Sequence, residues 1–354
     1  FVSAGGKTKP INECADVNRI LSYGEEIVTK CDSTKGGGVS FAKWPCGDLV
    51  LDNCAGSDAV KRSIGEVVRY EQGPSCDESP SSCNNNHGHC EGGRCICEVS
   101  TQDELSFGGP NCQYDNLKIK NEMPLDEAYS TEVFDKIYEK LSSNREFMMN
   151  DGVAHHGSGP GSSMRSTIGI RAVLPALIDL LKIKTIVDLP CGDFTYMRSI
   201  IKPEGSSFRK QNTSYVGLDI SPSLVKALST LFGEPNKIAF MTFDMSRQIL
   251  WPADLVVVRD VLFHFDMERG LDVLRNIQKS GSKFLLSTYF PGKTNSPKGF
   301  NKGRGFQSFH HINLEAPPYN LSKPLLAIGF DGERANPPRV MGLWRFPLYH
   351  GAGF

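Results

Sequence analysis

The sequence predicts an α/β protein built on a doubly wound parallel sheet, preceded by a small disulfide-rich N-terminal region. Three observations lead to this expectation. Ten of the 11 cysteines fall within the first 112 of the 354 residues. Beyond them, apolar runs of four to seven residues alternate with segments of helical periodicity, the pattern of strands covered on both faces. Acidic residues close four successive runs, at the end of the sheet where open α/β folds bind ligands.

Length and composition set the frame. At about 150 residues per domain, the chain accommodates two or three domains. A hydrophobic content of 39% with 22% charged residues fits a soluble globular chain and excludes a wholly disordered one. Lys+Arg (39) and Asp+Glu (40) nearly balance, so the chain lacks the basic excess of a protein built mainly to grip nucleic acid. No run of 18 apolar residues is present, and no membrane span is expected. The chain opens at Phe1 with neither Met nor a signal peptide, and reads as a processed or trimmed mature chain.

The ten clustered cysteines are Cys14, Cys31, Cys46, Cys54, Cys76, Cys83, Cys90, Cys95, Cys97 and Cys112. An even, dense set in one segment reads as a disulfide framework made in an oxidising compartment. Zinc is the competing use, but paired Cys-x2-Cys knuckles are absent. Two sequons, at Asn212 and Asn320, fit a secretory or extracellular route and mark candidate glycosylation sites.

Three pieces are expected: residues 1–75, 76–115 and 116–354. The first holds four cysteines, whose three possible pairings the spacing does not distinguish. Ala15–Lys30 shows a weak helical pattern, Phe41–Leu51 looks extended, and so short a segment depends on its two disulfides. The second piece has the spacing Cys76-x6-Cys83-x6-Cys90-x4-Cys95-x-Cys97-x14-Cys112, with Phe107-Gly108-Gly109-Pro110 before the last cysteine. It resembles an EGF-like module. The resemblance implies the pairs Cys76–Cys90, Cys83–Cys95 and Cys97–Cys112, and a spacer or protein-contact surface without catalytic chemistry. The single residue between Cys95 and Cys97 is read as turning the two side chains to opposite faces of a strand, each stapling a different neighbour. The calcium-binding subtype carries acidic and amide ligands just before its first cysteine; here that stretch reads Tyr70-Glu-Gln-Gly-Pro-Ser75, and no calcium is expected.

The third piece opens with an expected helix over Asp126–Met149, then a Gly/Ser stretch from His155 to Ser162, then a helix over Ser166–Leu181. Strands are expected at Thr185–Leu189, Tyr215–Asp219, Ile238–Phe243, Leu255–Arg259 and Lys283–Tyr289, and the last strands in Arg339–Leu348 with Trp344 inside. The strand ends read Asp188-Leu-Pro-Cys-Gly192-Asp193-Phe194, Asp219-Ile-Ser, Asp244-Met245 and Arg259-Asp260-Val-Leu-Phe-His264. Half-buried carboxylates need donors, and a nucleoside supplies them in its ribose hydroxyls and exocyclic amine.

These stretches, with Gly157–Ser163 and Asn313-Leu-Glu-Ala-Pro-Pro-Tyr319, resemble a subgroup of the class I S-adenosylmethionine-dependent methyltransferases over about 200 residues. The resemblance implies a seven-stranded sheet with a reversed hairpin at its edge. It implies S-adenosylmethionine as cofactor, with Gly192 giving close backbone approach. Asp188, in the Asp188–Asp193 turn, would orient that turn or hold the methionine amino group. Asp219 would take the ribose hydroxyls, Asp244 and Met245 would face the adenine, and Arg259 would lie under the methionine portion. Asp260 would stand at the mouth of the substrate site and His264 would act as base.

Structural alternatives accompany each assignment. Asp188 reads equally as a turn or helix cap, Asp219 as the cap of a helix near Ser221-Pro222, Asp244 as a loop acid and His264 as a histidine packed between Phe263 and Phe265. Cys191 reads as a small buried hydrophobe. His155-His156 and His310-His311 lack a companion carboxylate at metal-ligand spacing, so no metal is expected. The usual first motif has three alternate glycines; here those places hold Pro190, Gly192 and Phe194, and Phe194 is expected to narrow the mouth of the cofactor site. Pro291–Leu314 carries Lys293, Lys298, Lys302 and Arg304 without an acid before Leu314, and reads either as a loop for an anionic substrate group or as a solvated loop.

Two function classes follow. One is a secretory-pathway methyltransferase acting on an unidentified acceptor. The other is an inactive extracellular subunit, with the fold as scaffold and the cysteine-rich region mediating self-assembly or binding an extracellular protein in a matrix or filament. An open cleft at Gly192, Asp219 and Asp244 favours the enzyme; a cleft plugged by Phe194, or covered by a neighbouring subunit, favours the scaffold.

Overall fold

The computed structural model describes residues 2–4, 7–9, 76, 83, 87–91, 94–98, 105–122, 131–142, 158–164, 166–296, 309–328 and 339–348. Cys14, Cys31, Cys46 and Cys54, the Ala15–Lys30 and Phe41–Leu51 segments, the His155-His156 pair, and Lys298, Lys302 and Arg304 lie outside the described residues.

A seven-stranded sheet organises the chain. Its strands are β1 (Thr185–Asp188), β2 (Ser214–Asp219), β3 (Ile238–Thr242), β4 (Leu255–Val258), β5 (Phe284–Tyr289), β6 (Leu326–Ile328) and β7 (Val340–Arg345). Their order is β6-β7-β5-β4-β1-β2-β3. Strands β1 to β5 pair in parallel, and β7 runs antiparallel to both β5 and β6. This is the reversed hairpin at the sheet edge. The order reverses between β1 and β4, which places a ligand crevice at their carboxyl ends. The sequence reading marked the parallel strands to within a residue. It missed β6, whose three residues are too few to show a period.

The helices are α1 (Asn116–Glu122), α2 (Thr131–Ser142), α3 (Ile168–Leu180), α4 (Thr195–Ile201), α5 (Ser207–Lys210), α6 (Pro222–Phe232) and α7 (Met267–Lys279). Local chemistry fixes their starts. The Ser221 hydroxyl accepts from the Leu224 N–H ahead of Pro222, and the Asp266 carboxylate accepts from the Arg269 N–H.

Strand residues alternate between two cores. Leu255 and Val257 of β4 and Phe284 and Leu286 of β5 pack with α3, α4 and α6 on one face. Val256, Val258 and Leu285 pack on the other with α7, through Val273, Leu274 and Ile277. The second face has an additional cover. Cys83, Cys95, Leu105, Cys97 and Cys112 are buried in the same cluster as Leu250 and Phe243. The disulfide-bonded segment thus completes one layer of the α/β sandwich.

That segment contains Gly88–Glu91 paired antiparallel with Arg94–Cys97, and Phe107–Gly108 paired with Tyr114–Asp115. Its bridges are Cys76–Cys90, Cys83–Cys95 and Cys97–Cys112. The sulfurs of Cys76, Cys83 and Cys95 lie within 4.8 Å of one another, but their use in disulfides removes the thiolates zinc would need. One expectation is corrected here. Cys95 and Cys97 bond different partners from the same face of the strand, because residues two apart share a face. Both are buried while Ile96 between them is exposed. Among the described residues no helix is long and apolar enough to cross a membrane.

Gly217 of β2 lies opposite Asp188 in register. An added Cβ there would meet the Phe240 ring at 2.7 Å and the Cys191 Cβ at 3.0 Å. Gly217→Ala is therefore expected to destabilise the fold by about 1–3 kcal/mol through overpacking, measured by chemical denaturation.

Candidate functional site

The turn after β1 is tied to both neighbouring strands. The Leu189 N–H donates to the Val257 carbonyl and the Cys191 N–H to the Leu218 carbonyl, each at 2.8 Å. The chain then turns through Gly192, whose φ of +53° lies in the left-handed region that favours glycine. The Gly192 N–H donates to Asp219 Oδ2 at 3.2 Å.

Asp219 ends β2 and is 1% exposed. Its Oδ1 accepts from the Ser221 N–H at 3.2 Å, and its Oδ2 also accepts from the Tyr138 hydroxyl of α2 at 3.1 Å. Burial raises its pKa to about 6 despite these donors. Asp188 is fully buried beside it, with the Tyr215 hydroxyl donating to Oδ2 at 2.9 Å. Burial raises its pKa to about 7, against the opposing pull of the Tyr215 hydrogen bond and the Arg259 charge. Asp193 takes a different position. Its Oδ1 accepts from the Thr195 N–H at 3.0 Å and its Oδ2 from the Ser158 N–H at 3.3 Å. Its carboxylate ties the first residue of α4 to the segment before α3 across the turn.

A cavity of about 530 Å³ opens over these strand ends. This falls within the roughly 300–1,000 Å³ range of small-molecule sites. Gly192, Asp219, Asp244, Met245, Arg259, Asp260 and His264 all border it, whereas Asp188 and Asp193 stand one layer behind. Asp244 organises its own turn: Oδ1 accepts from the Ser246 N–H and hydroxyl at 3.0 and 2.7 Å, and Arg247 stands 3.9 Å from Oδ2. Phe243 and Met245 supply apolar wall beside it.

At the other end, Asp260 adopts φ +55° and holds two guanidiniums. Arg339 Nη1 lies 2.8 Å and Arg259 Nη1 3.2 Å from Oδ2, while the Thr288 hydroxyl donates to Oδ1 at 3.1 Å. Arg259 also lies over the Tyr196 ring at 5.2 Å and is buried. The Asp260 carboxylate is thus engaged as an anchor for arginines. His264 borders the cavity among Phe263 and Phe309, with ring centroids at 4.6 and 6.3 Å. Phe309 is 47% exposed at this rim. Buried His310 stands behind, its pKa lowered by burial and then by the His264 charge.

Phe194 does not narrow the mouth. It is fully buried beneath the turn, with ring centroids 5.1, 5.6 and 5.0 Å from Tyr215, Phe232 and Phe240. A φ of +62° turns its side chain down into the core. Cys191 is a buried free thiol whose pKa burial pushes up, which makes it a poor nucleophile. Asn212 and Asn320 are both exposed.

Sequence reasoning missed Tyr138 and Arg339 as site residues, and took Phe309 only as an aromatic that packs down the Pro291–Leu314 loop. The i, i+4 pair Phe134 and Tyr138 was the available signal for α2, since both border the cavity. Arg339 had none, because its partner Asp260 is 79 positions away.

No family model and no curated protein matches the chain. Solved structures do. The chain is similar to the N-methyltransferase NodS from Bradyrhizobium japonicum WM9 in complex with S-adenosyl-L-homocysteine, at 13% identity and a TM-score of 0.41, over 63% of this chain and 100% of that one. It is likewise similar to the magnesium protoporphyrin IX methyltransferase ChlM from Synechocystis PCC 6803 with bound S-adenosylmethionine, at 13% identity and a TM-score of 0.37, over 62% of this chain and 99% of that one.

Proposed function

We propose that the chain is a methyltransferase that uses S-adenosylmethionine, with the cofactor over the carboxyl ends of β1, β2 and β3. The single observation that carries this reading is the open cavity at Gly192, Asp219 and Asp244. Of the two forms the inactive-scaffold alternative took, a plug at Phe194 or cover by a neighbouring subunit, the first is removed, because that ring lies in the core. The residues present suit the cofactor. Gly192 leaves bare backbone at the turn, and Asp219 offers a carboxylate to ribose hydroxyls. Tyr138, which comes from a separate helix, is the donor on Asp219 that a ribose hydroxyl can replace. Phe243 and Met245 flank the adenine position, with Asp244 at its edge. Asp188 and Asp193 act from behind, holding the turn. When bound, S-adenosylmethionine supplies an electrophilic methyl on a sulfonium.

The acceptor end supports a compact, largely apolar acceptor with one protic group. Phe263, Phe265 and Phe309 give it surface, and His264 takes the proton of the attacking atom. Arg259 and Arg339, fixed by Asp260, set the electrostatics of this rim. Three disulfides and two exposed sequons support an EGF-like module and a secretory location. The domain limits 76–115 and 116–354 belong to this same reading.

Calorimetric titration of S-adenosylhomocysteine into the oxidised protein tests the site. Micromolar binding is expected, weakened at least about tenfold in Asp219→Ala, since hydrogen bonds to a charged group contribute roughly 1.5–3 kcal/mol each. Absence of binding at millimolar ligand overturns the reading. Ribose hydroxyls favour the ionised carboxylate, so binding lowers the Asp219 pKa from about 6 and releases a proton. Affinity should be constant above about pH 7 and fall by up to about tenfold per pH unit below about 6, and Asp219→Asn should remove that slope.

A further inference from the structure

We infer that the disulfide-bonded segment and the start of α1 that follows it are a working part of the cofactor site, with the Gly108–Gly109 backbone and Asn116 positioning the loop that forms the adenine wall. The inference rests on the methyltransferase reading above and extends it to residues more than 120 positions from the wall they hold.

The loop concerned runs from Phe243 to Leu250. Its front, at Asp244, Met245 and Ser246, borders the cavity. Its rear is the backbone of Ile249 and Leu250, and the N-terminal segment grips that backbone directly. Asn116, fully buried, donates from Nδ2 to the Ile249 carbonyl at 3.0 Å and accepts at Oδ1 from the Ile249 N–H at 2.8 Å. A side-chain amide that pairs with both the N–H and the C=O of one residue holds the two peptide units that flank it, as a neighbouring strand would. The Gly109 N–H donates to the Leu250 carbonyl at 2.6 Å. Gly108 lies so close that an added Cβ would stand 1.8 Å from the Ile249 carbonyl oxygen. Between front and rear, Arg247 reaches the Lys120 carbonyl of α1 while standing 3.9 Å from the Asp244 carboxylate.

The bridges hold this grip in place. Cys112 closes the turn that presents Gly109, its N–H donating to the Gly109 carbonyl at 3.1 Å, and its sulfur is bonded to Cys97. On the opposite side of the loop, the Asn276 amide of α7 donates to the Met245 and Ser246 carbonyls at 3.3 and 3.0 Å. The adenine wall is therefore clamped between α7 and the N-terminal segment. Binding surfaces are precise when such supporting contacts fix them before the ligand arrives. Asn116 touches no cofactor in this arrangement; it is a positioning residue.

The test uses the full chain with its disulfides intact and two probes, S-adenosylhomocysteine and S-inosylhomocysteine, which differ only at purine positions 1 and 6, where donor and acceptor are exchanged. Asn116→Ala is expected to weaken S-adenosylhomocysteine at least tenfold and to reduce the preference over the inosyl analogue. Asn116→Asp, which keeps the acceptor for Ile249, should recover part of both. A Cys97→Ser/Cys112→Ser double variant should lose the preference in the same way. Equal weakening of both probes in Asn116→Ala, with the preference retained, would mean a merely structural role and overturn the inference. So would unchanged affinity for both. Failure of the unaltered protein to bind S-adenosylhomocysteine overturns the methyltransferase reading itself, and this inference with it.

Discussion

The buried carboxylate of Asp219 ties together segments that the chain delivers from three directions. It receives the Gly192 N–H from the turn after β1, the Ser221 N–H from the start of α6 and the Tyr138 hydroxyl from α2. Each donor is needed, because a carboxylate at this depth is costly to leave without partners. Its raised pKa records how far burial outweighs those donors. The consequence is a site edge that is stiff at the turn and exchangeable at the tyrosine.

The opposite end of the cavity obeys the same rule with the signs reversed. Arg259 is buried at the end of β4, and Arg339 immediately precedes β7. Asp260 answers both from a left-handed backbone conformation that costs a non-glycine residue free energy. The strain is held by Thr288 of β5, whose hydroxyl accepts from the Asp260 N–H and donates to its carboxylate, both at 3.1 Å. Three strands therefore share one ionic knot, and the acceptor rim inherits its charge pattern from it.

Most of the sheet was legible because its physics is local. Runs such as Leu255–Val258 are buried on both faces and read as strands without reference to anything else. The acids at the strand ends stood out for the same reason. What escaped was set by distant partners. Phe194 looked like an obstruction because sequence gives no backbone dihedral, and a single left-handed residue reverses where its ring points. Arg339 and Tyr138 join the site only through contacts across 79 and 81 positions. The face relation of Cys95 and Cys97 was legible but misread, since strand period alone places both on one side.

The cysteine-rich segment covers one face of the sheet cluster that contains Phe243, Leu250 and Ala253. The closure of that face is thus chemically conditional. An oxidising lumen lets the bridges close and hold this cover against the sheet. In a reducing cytosol the cover lacks its staples, and the contiguous apolar surface beneath becomes an aggregation surface. Yield of soluble protein from different expression compartments consequently reports on whether this layer has closed, before any ligand is added.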